Sequence, residues 1–303
     1  MAGYGLAYVA LATKDVARAA RVLGELLGLP RQDVRLGGGT AAAFAIGETA
    51  LALFSPDDPF LGSGAKPGVH HIALAAEDPA AAAAQLTRAG FGVSAGAAGL
   101  PELDPGGTHG VRIRLAPPLG LGVGRSAHVE RVDHIGIASA DNVPVVATFC
   151  GALGLPLESQ QTDMEVQIAV ESFTSDRYGV VYHSRAPVPV GGLRVAFITA
   201  GDCELEFLQN FDPNQSGHVS HGSAGNTRQD QGAIARFVAS RGAGLHHVAF
   251  KATDIDRTLA HLREAGVPLI DHKGRPGSRR ARIGFCHPDA MGGVLIHFVE
   301  RGA

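Results

Sequence analysis

The sequence predicts an α+β protein built from two tandem halves, each containing two β-α-β-β-β modules. Two pairs of recurring segments predict the duplication. Leu27-Gly28-Leu29-Pro30 recurs at 153–156, an offset of 126 residues, and His70-His71-Ile72-Ala73-Leu74 recurs in similar form at 246–250, an offset of 176 residues. Recurrence in the same order along a chain indicates a duplicated architecture. The second half therefore has 50 more residues than the first half between its copy of the first segment and its copy of the second.

Four short apolar strands are each followed by an aspartate and a helical pattern, which predicts one helix in each module. The aspartates are Asp15, Asp78, Asp141 and Asp254. A carboxylate at this position accepts a hydrogen bond from a backbone N–H of the first helical turn. Glycines such as Gly90 and Gly266 follow the helical patterns, as is common at helix C-termini. We therefore expect four modules.

Strands are expected after each helix, and the stretch 164–170, for example, alternates with period two. The Pro/Gly-rich stretch 117–124 predicts a boundary, so we expect domains at 1–118 and 129–303. The additional residues are expected around 171–178 and at 214–228. The second of these segments is polar and Gly/Ser-rich, which fits either an active-site lid or a plain surface loop.

Composition narrows the class of protein. Hydrophobic residues make up 45% and charged residues 18% of the 303 residues, which is normal for a globular protein. The net charge of −3 and the lack of a basic run argue against nucleic-acid binding. No apolar run is long enough for a membrane span, and the first residues lack a signal-peptide pattern. Three widely spaced cysteines leave one unpaired, so we expect a cytoplasmic protein.

Four predicted strands each carry one side chain that can bind a metal. These residues are His134, Glu206, His247 and His297. Histidine and glutamate are costly to bury in apolar strands unless something satisfies them. Strand alternation favours His247 over its neighbour His246. A hydrogen-bonded core histidine is the common alternative, but four such strand positions favour convergence on one ion.

Paired β-α-β-β-β modules with His or Glu on the inner strands resemble the vicinal oxygen chelate superfamily, which includes glyoxalase I, methylmalonyl-CoA epimerase and extradiol dioxygenases. The local sequence at 131–300 is most similar to the epimerase, above all the run at 283–296. The resemblance implies a curved mixed sheet around a cavity in each domain. It also implies that His134, Glu206, His247 and His297 bind one divalent metal per chain, with Fe, Co, Ni, Zn and Mn not distinguished.

The first half differs from the second at the positions aligned with the four ligands. It carries Tyr8, Ala52, His71 and Arg114, so only one potential ligand remains and the arginine would repel a cation. We therefore expect the first domain to be a degenerate, metal-free copy. Its role would be that of a scaffold, a dimerisation surface or a wall of the substrate cavity.

The last-strand ligand is a glutamate in the epimerase, glyoxalase and dioxygenase relatives, whereas this chain has His297. A metal-bound imidazole cannot replace that carboxylate as a base, so two-base epimerisation is disfavoured. Proton abstraction by one base remains open. Glu206 and Glu204, which share a strand face, are the candidate catalytic residues, and a solvated acid at the strand end explains Glu204 equally well.

Substrate contacts are expected on the C-terminal side of the second domain. The resemblance implies that the turn from His287 to Gly293 helps to hold a CoA thioester. Arg275 belongs to a cluster of arginines that fits a carboxylate or phosphate, or simply a solvated loop. The candidate substrate-binding residues are Arg275, His287, Gly292 and Gly293.

These observations favour an isomerase, epimerase or lyase in which a divalent metal chelates a small carbonyl substrate and stabilises an enolate-like intermediate. An acyl-CoA ester and a 2-oxo acid are the candidate substrates. An Fe(II) dioxygenase of the extradiol or hydroxyphenylpyruvate type is the first alternative. A non-catalytic binding protein of the bleomycin-resistance type is the second. No nucleic-acid or membrane partner is expected, and a homodimer is the candidate assembly.

Overall fold

The computed structural model describes residues 4–302 except 168–169, 176, 178, 185, 187 and 213–231. The first half forms one eight-stranded sheet with the order β2-β3-β4-β1-β5-β8-β7-β6. Its strands are β1 (Leu6–Ala12), β2 (Arg31–Leu36), β3 (Gly39–Ile46), β4 (Thr49–Phe54), β5 (Gly68–Ala75), β6 (Val93–Ala95), β7 (Pro101–Leu103) and β8 (Ile113–Ala116). Its helices are α1 (Val16–Ala20), continued by a π-helical turn at Arg21–Leu26, and α2 (Pro79–Arg88), with 3₁₀ turns at Pro59–Leu61 and Ala97–Gly99.

The second half forms another eight-stranded sheet with the order β10-β13-β14-β9-β15-β18-β17-β16. Its strands are β9 (Val129–Ser139), β10 (Leu157–Gln167), β13 (Val188–Ala200), β14 (Cys203–Phe211), β15 (Gly244–Ala252), β16 (Arg275–Pro276), β17 (Arg282–Phe285) and β18 (Ile296–Glu300), with a separate hairpin of β11 (Val170–Ser175) and β12 (Gly179–Ser184). Its helices are α3 (Asn142–Val146), continued by a π-helical turn at Ala147–Ala152, α4 (Gly232–Arg241) and α5 (Ile255–Glu264), with 3₁₀ turns at Ser278–Arg280 and Pro288–Met291.

The predicted α+β fold of two duplicated halves is confirmed. Each module runs strand, helix and three further strands, and both sheets mix parallel and antiparallel pairs. The hairpin β11–β12 is inserted between β10 and β13, at the first place expected for additional residues. The other predicted insertion, 214–228, lies outside the described residues.

Aspartates cap the helices as the sequence predicts. The carboxylate of Asp15 accepts from the backbone N–H of Arg18, and Asp78, Asp141 and Asp254 make the corresponding bonds at their own helices. Each carboxylate satisfies one or two N–H groups that have no partner within the helix. The caps fix where each helix leaves its strand.

Strand register relates the two halves residue by residue. Ala10 pairs with both Ala52 and His71, and Gly136 pairs with both Glu206 and His247. In the next pair of strands, Ala73 faces Arg114 as Ala249 faces His297. The four candidate ligands therefore have Tyr8, Ala52, His71 and Arg114 as their structural counterparts.

Each half also contains two matching β-bulges in its central strand pair. One inserts Ala7 in β1 and Asp133 in β9, and the other inserts His70 in β5 and His246 in β15. A bulge places two consecutive residues opposite one and re-aims their side chains. Simple alternation therefore fails at Asp133 and His246, each of which directly precedes a candidate ligand.

The halves pack against each other along β5 and β15, and one apolar core cluster includes residues from both. The turn at 291–293 docks on the first half, where Thr13 Oγ1 donates to the carbonyl of Met291 and the Lys14 N–H donates to that of Gly292, both at 2.9 Å. Gly292 has a φ of 60°, and a Cβ there would lie 2.4 Å from Thr13 Oγ1. Glycine is therefore required by this contact. In the part of the chain that the structure describes, no helix has the length and apolar character needed to cross a bilayer.

Candidate metal centre

The strands β9, β14, β15 and β18 bring the four expected ligands together. One ring nitrogen from each of His134, His247 and His297 lies within 4.8 Å of the others, and all three residues are buried. Glu206 Oε2 lies 3.1 Å from His134 Nε2 and 3.8 Å from His247 Nε2. The arrangement follows from neighbouring strands that present these side chains on one face.

Several nitrogen atoms of this cluster have no hydrogen-bond partner among the described residues. They are Nε2 of His247 and both ring nitrogens of His297, and all are buried, while Nε2 of His134 has only the Glu206 carboxylate beside it. A buried polar atom without a partner is costly. Three imidazoles and one carboxylate are a donor set suited to a divalent transition metal. These residues therefore fit a metal ion.

His134 is oriented by a buried carboxylate behind it. Asp133 Oδ1 lies 2.8 Å from His134 Nδ1, and the Arg301 guanidinium bonds the same carboxylate at 2.6 Å. Hydrogen bonds of this kind fix the ring and leave Nε2 free for a metal. Burial opposes ionisation of Asp133, but its bonds to His134 and Arg301 hold the pKa of the carboxyl well below its usual range.

Charge divides the three imidazoles into two groups. Burial alone would lower the pKa of His134, but the nearby Glu206 carboxylate and Asp133 raise it to about 9. Burial, followed by the repulsion of neighbouring imidazoles, lowers the pKa of His247 and His297 well below the usual value. Although burial opposes it, the charge of His134 lowers the pKa of Glu206. Without a metal, His134 and Glu206 therefore form the charged pair and the other two rings stay neutral.

His247 is held between a glycine and another histidine. A Cβ at Gly136 would lie 2.0 Å from His247 Cε1, so only glycine leaves room for this ring. On the other side, His246 Nδ1 lies 2.9 Å from His247 Nδ1. Burial lowers the pKa of His246 to about 4, so this ring is neutral near pH 7. The bulge at His246 makes the contact between consecutive side chains possible.

In the first half, a buried arginine takes the position equivalent to His297. Arg114 is 2% exposed, donates to Glu102 at 3.0 Å and to the Phe60 carbonyl at 2.8 Å, and lies over the Phe60 ring. His71 Nε2 lies 3.3 Å from the Tyr8 hydroxyl. This centre is therefore filled by side chains of the chain itself.

The histidine cluster opens onto a small cavity of about 20 Å³ that is lined by Phe197, Phe285 and Arg279 among others. A cavity of this size holds about one water molecule. The Arg279 guanidinium lies 3.6 Å above the Phe197 ring and pairs with Glu158 and Glu204. Arg279 and Arg280 have φ values of 53° and 58°, which are unfavourable for residues with a side chain. The strained segment Ser278–Arg280 thus forms one wall of the site.

The structure does not bring the other predicted site residues into this cavity. Glu204 accepts hydrogen bonds from Arg279 and Arg301, and Arg275 pairs with Asp271 at 2.9 Å. The half-exposed His287 accepts the Asp289 N–H and caps a 3₁₀ turn. Gly292 and Gly293 lie where the two halves meet, against Thr13 and Pro67. Neither position has room for a Cβ, because Gly292 meets the Thr13 side chain and the backbone after it and Gly293 meets the Pro67 ring.

Two residues of the site were missed by sequence reasoning. Asp133 was not expected at the site, because simple alternation would place it on the sheet face opposite His134 and the bulge at this residue has no local sequence signal. Arg279 belonged to the arginine cluster noted before the last strands, but nothing in the sequence separates it from Arg280. The two arginines differ in their burial in the folded chain, where Arg279 lines the cavity and Arg280 is exposed.

Comparisons with known proteins agree with this architecture. Residues 133–286 match a model described as Glyoxalase/Bleomycin resistance protein/Dioxygenase superfamily, and residues 5–101 match a second model with that description. An uncharacterised protein of Bacillus subtilis (strain 168), YqjC, is 26% identical over 172 residues, which cover 57% of this chain and 93% of that protein. The mitochondrial methylmalonyl-CoA epimerase of Mus musculus is 24% identical over 131 residues, covering 43% of this chain and 64% of the epimerase.

A solved structure extends the likeness to both halves. A variant of 4-hydroxymandelate synthase from Streptomyces coelicolor covers 100% of this chain and 95% of its own, with a TM-score of 0.63 and 15% identity. At this identity the likeness concerns the fold. It indicates that the arrangement of two paired-module halves is shared.

Proposed function

The chain belongs to the glyoxalase/bleomycin resistance protein/dioxygenase superfamily, and we propose that its second half is a divalent-metal enzyme acting on a small anionic carbonyl compound. The reaction is an isomerisation, epimerisation or lyase step through an enolate-like intermediate. A 2-oxo acid or an acyl-CoA ester is the substrate class. The domain at 1–118 is metal-free, and the domain at 129–303 carries the active site of a cytoplasmic enzyme.

The observation that carries this proposal is the cluster of buried, unpartnered imidazole nitrogens beside Glu206. His134, Glu206, His247 and His297 would hold the ion. A bound divalent ion would supply Lewis-acid chemistry by polarising a carbonyl oxygen. Phe197 and Phe285 on the cavity wall exclude water from the reacting atoms.

The proton step is assigned to Glu206. Among the described residues that line the cavity, it is the single carboxylate, because Glu204 does not line the cavity and is bonded to Arg279 and Arg301. Glu206 would accept a proton at Oε1 or Oε2 from the carbon next to the carbonyl. Arg279 and Arg301 line the same space and both pair with carboxylates, but the buried Nε–H of Arg279 has no partner among the described residues and would donate to a substrate carboxylate or thioester oxygen.

Metal content tests the site directly. We expect reconstituted wild-type protein to hold about one ion per chain, as for a site with a single cluster of ligands. His134→Ala and His297→Ala should lose it, while the exposed His272→Ala should retain it. Inductively coupled plasma mass spectrometry after removal of free metal gives the ratio. A wild-type protein without metal, or unchanged content in both site variants, would refute the proposal.

Deuterium exchange tests the reaction. Wild-type protein should exchange the α-hydrogen of a suitable 2-oxo acid or acyl-CoA ester with D₂O, as followed by NMR. Glu206→Gln keeps an oxygen ligand but cannot take a proton, so we expect exchange to fall by about 100-fold or more while metal is largely retained. Oxygen consumption with aromatic or 2-oxo acid substrates, in place of exchange, would instead indicate the dioxygenase reaction.

A further inference from the structure

The two halves enclose a second cavity of about 430 Å³, far larger than the space at the metal centre. The two cavities share no lining residue. Glycines allow close contact between the two halves at two related places, where Gly110 lies against the Ala243 backbone and Gly293 lies against the Pro67 ring. The strand register makes Gly110 the counterpart of Gly293. The two contacts are therefore equivalent under the approximate twofold symmetry of the halves, and the cleft lies between them.

The charged residues that line this cleft are not repeated at the equivalent positions of the other half. Lys66, Arg112 and Arg241 line it, and all three are exposed, while no aspartate or glutamate is among the described lining residues. Arg112 donates to His70 Nε2 at 2.9 Å, and Arg241 donates to the Pro67 carbonyl at 3.2 Å. Within the described ranges, none of the three pairs with a carboxylate. Their charge is therefore available to an anion from solution.

Two equivalent histidines line the cleft with opposite hydrogen-bonding roles. Arginine can only donate, so His70 Nε2 accepts from Arg112. In the second half, a His247 that binds a metal through Nε2 carries its proton on Nδ1 and donates it to His246 Nδ1, 2.9 Å away. A neutral His246 then carries its own proton on Nε2, for which the described residues offer no partner. The cleft thus presents an N–H donor as well as three cations.

The remaining wall is apolar. Phe237 and Leu295 line it beside His246, and the Phe237 and His246 rings are 4.7 Å apart, edge to face. A site that combines cations, an N–H donor and apolar side chains fits an organic anion better than an inorganic one. Three cations in addition favour a doubly charged group.

We propose that the cleft between the halves binds the phosphate group of a small organic phosphate ester, as an effector site separate from the metal centre. Arg112, Arg241 and Lys66 bind the phosphate oxygens, and His246 Nε2–H donates to one of them. The apolar part of the ester packs on Phe237 and Leu295. An anion bonded to His246 makes its Nδ1 a better acceptor for His247, which strengthens His247 as a ligand. The donor role of His246 and this coupling rest on the proposed metal function, whereas anion binding by Arg112, Arg241 and Lys66 does not.

Binding to metal-free protein tests the site independently of the metal. Phenyl phosphate serves as the ester and inorganic phosphate as the smaller probe, with affinities from isothermal titration calorimetry. We expect the double variant Arg112→Ala/Arg241→Ala to bind phenyl phosphate at least 10-fold more weakly than wild type, and the exposed Arg88→Ala to match wild type. Inorganic phosphate should bind at least 5-fold more weakly than the ester. No binding by wild type, equal binding by the double variant, or equal affinity for both probes would overturn the proposal.

Cobalt titration tests the coupling. Phenyl phosphate should tighten Co(II) binding by about 5-fold or more, and Co(II) should tighten phenyl phosphate binding by the same factor, because linkage is reciprocal. Absorption of the bound Co(II) provides the readout, with Arg112→Ala/Arg241→Ala in the same solutions as the control for complexes of the free ion. His246→Phe keeps the contact with Phe237 but has no N–H, so it should abolish the coupling. Coupling that persists in His246→Phe would overturn the proposed route through His246, whereas failure of Co(II) to bind at all would refute the metal function and leave the anion site to the calorimetric test.

Discussion

Single residues decide the geometry of the candidate metal centre, and Gly136 offers the most direct test of this. It carries no side chain of its own, yet its strand neighbours on both sides are Glu206 and His247. The His247 ring occupies the space in which a Cβ at this position would lie. The counterpart in the first half is Ala10, where no metal ligand needs that room. Gly136 is therefore a positioning residue of the site.

Gly136→Ala should weaken Co(II) binding by about 10-fold or more, because the ring must move away from the other ligands or the strands must separate. Gly151→Ala is the control, since a Cβ there contacts nothing within 4 Å. Competition of each purified variant with a chromogenic chelator gives the dissociation constant. Equal affinity of Gly136→Ala and wild type would show that the ring position does not matter.

At this scale the sequence predicted which strand residues come together better than it predicted the residues around them. Each ligand stands in a strand in which a polar side chain is conspicuous, and duplication supplied the comparison with Tyr8, Ala52, His71 and Arg114. Asp133 and His246 were not predictable, since both lie at bulges and alternation is valid only between bulges. Arg279 depended on burial, which only the folded chain shows.

Among the elements, strand β8 of the first sheet lies between β5 and β7 and carries an arginine at the position of a candidate ligand. Strand β8 places Arg114 where β18 places His297, and the guanidinium bonds Glu102 and the Phe60 carbonyl. In the second half, the segment Ser278–Arg280 before β17 instead closes over the histidines. Duplication predicted the elements common to both halves. The π-helical continuations of α1 and α3 have no such signal, because their hydrogen bonds depend on the packing of each helix end.

Arg114→Met should lower the free energy of unfolding by about 2–4 kcal/mol, because it leaves the Glu102 carboxylate and the Phe60 carbonyl without their partner. Urea denaturation measures the change. Glu102→Gln combined with Arg114→Met should cost less than the sum of the two single changes. Additive losses would mean that the pair contributes nothing beyond the separate side chains.

Arg279→Gln should raise the dissociation constant of pyruvate for the cobalt-loaded protein by about 10-fold or more, through loss of a charge-assisted contact in the cavity. Arg280→Gln is the matched control, since Arg280 shares the positive φ but is exposed. Calorimetric titration of both variants compares them. If the two variants bind pyruvate equally, Arg279 has no role in substrate binding.

For the molecule as a whole, buried histidines determine how stability responds to pH. Burial lowers the pKa of His70 to about 3 and that of His71 well below its usual value. The unfolded chain takes up protons below pH 6.5, whereas these folded rings do not. Their contribution to stability is therefore complete above pH 6.5 and is lost as the pH falls toward 3. His134, whose pKa is raised to about 9, contributes fully below pH 6.5 and loses its contribution as the pH rises through 9.

Metal-free protein should accordingly be most stable near pH 6.5. Below that pH, each buried neutral histidine reduces the free energy of unfolding by up to about 1.4 kcal/mol per pH unit. Urea denaturation at pH 5, 6.5 and 9 measures the profile, and the exposed His272→Gln should leave it unchanged. A stability that increases steadily from pH 5 to pH 9 would contradict these assignments.

Arg114 carries its positive charge as part of the polypeptide, so the centre of the first half is complete as soon as the chain folds. Under the proposed function, the other half would acquire its central cation only by capture from solution, and could release it again. One half would then be a permanent frame against which the other is loaded and emptied. Such a duplicated chain would pass through cycles of metal shortage with half of its architecture unaffected, which a pair of equally metal-dependent halves could not do.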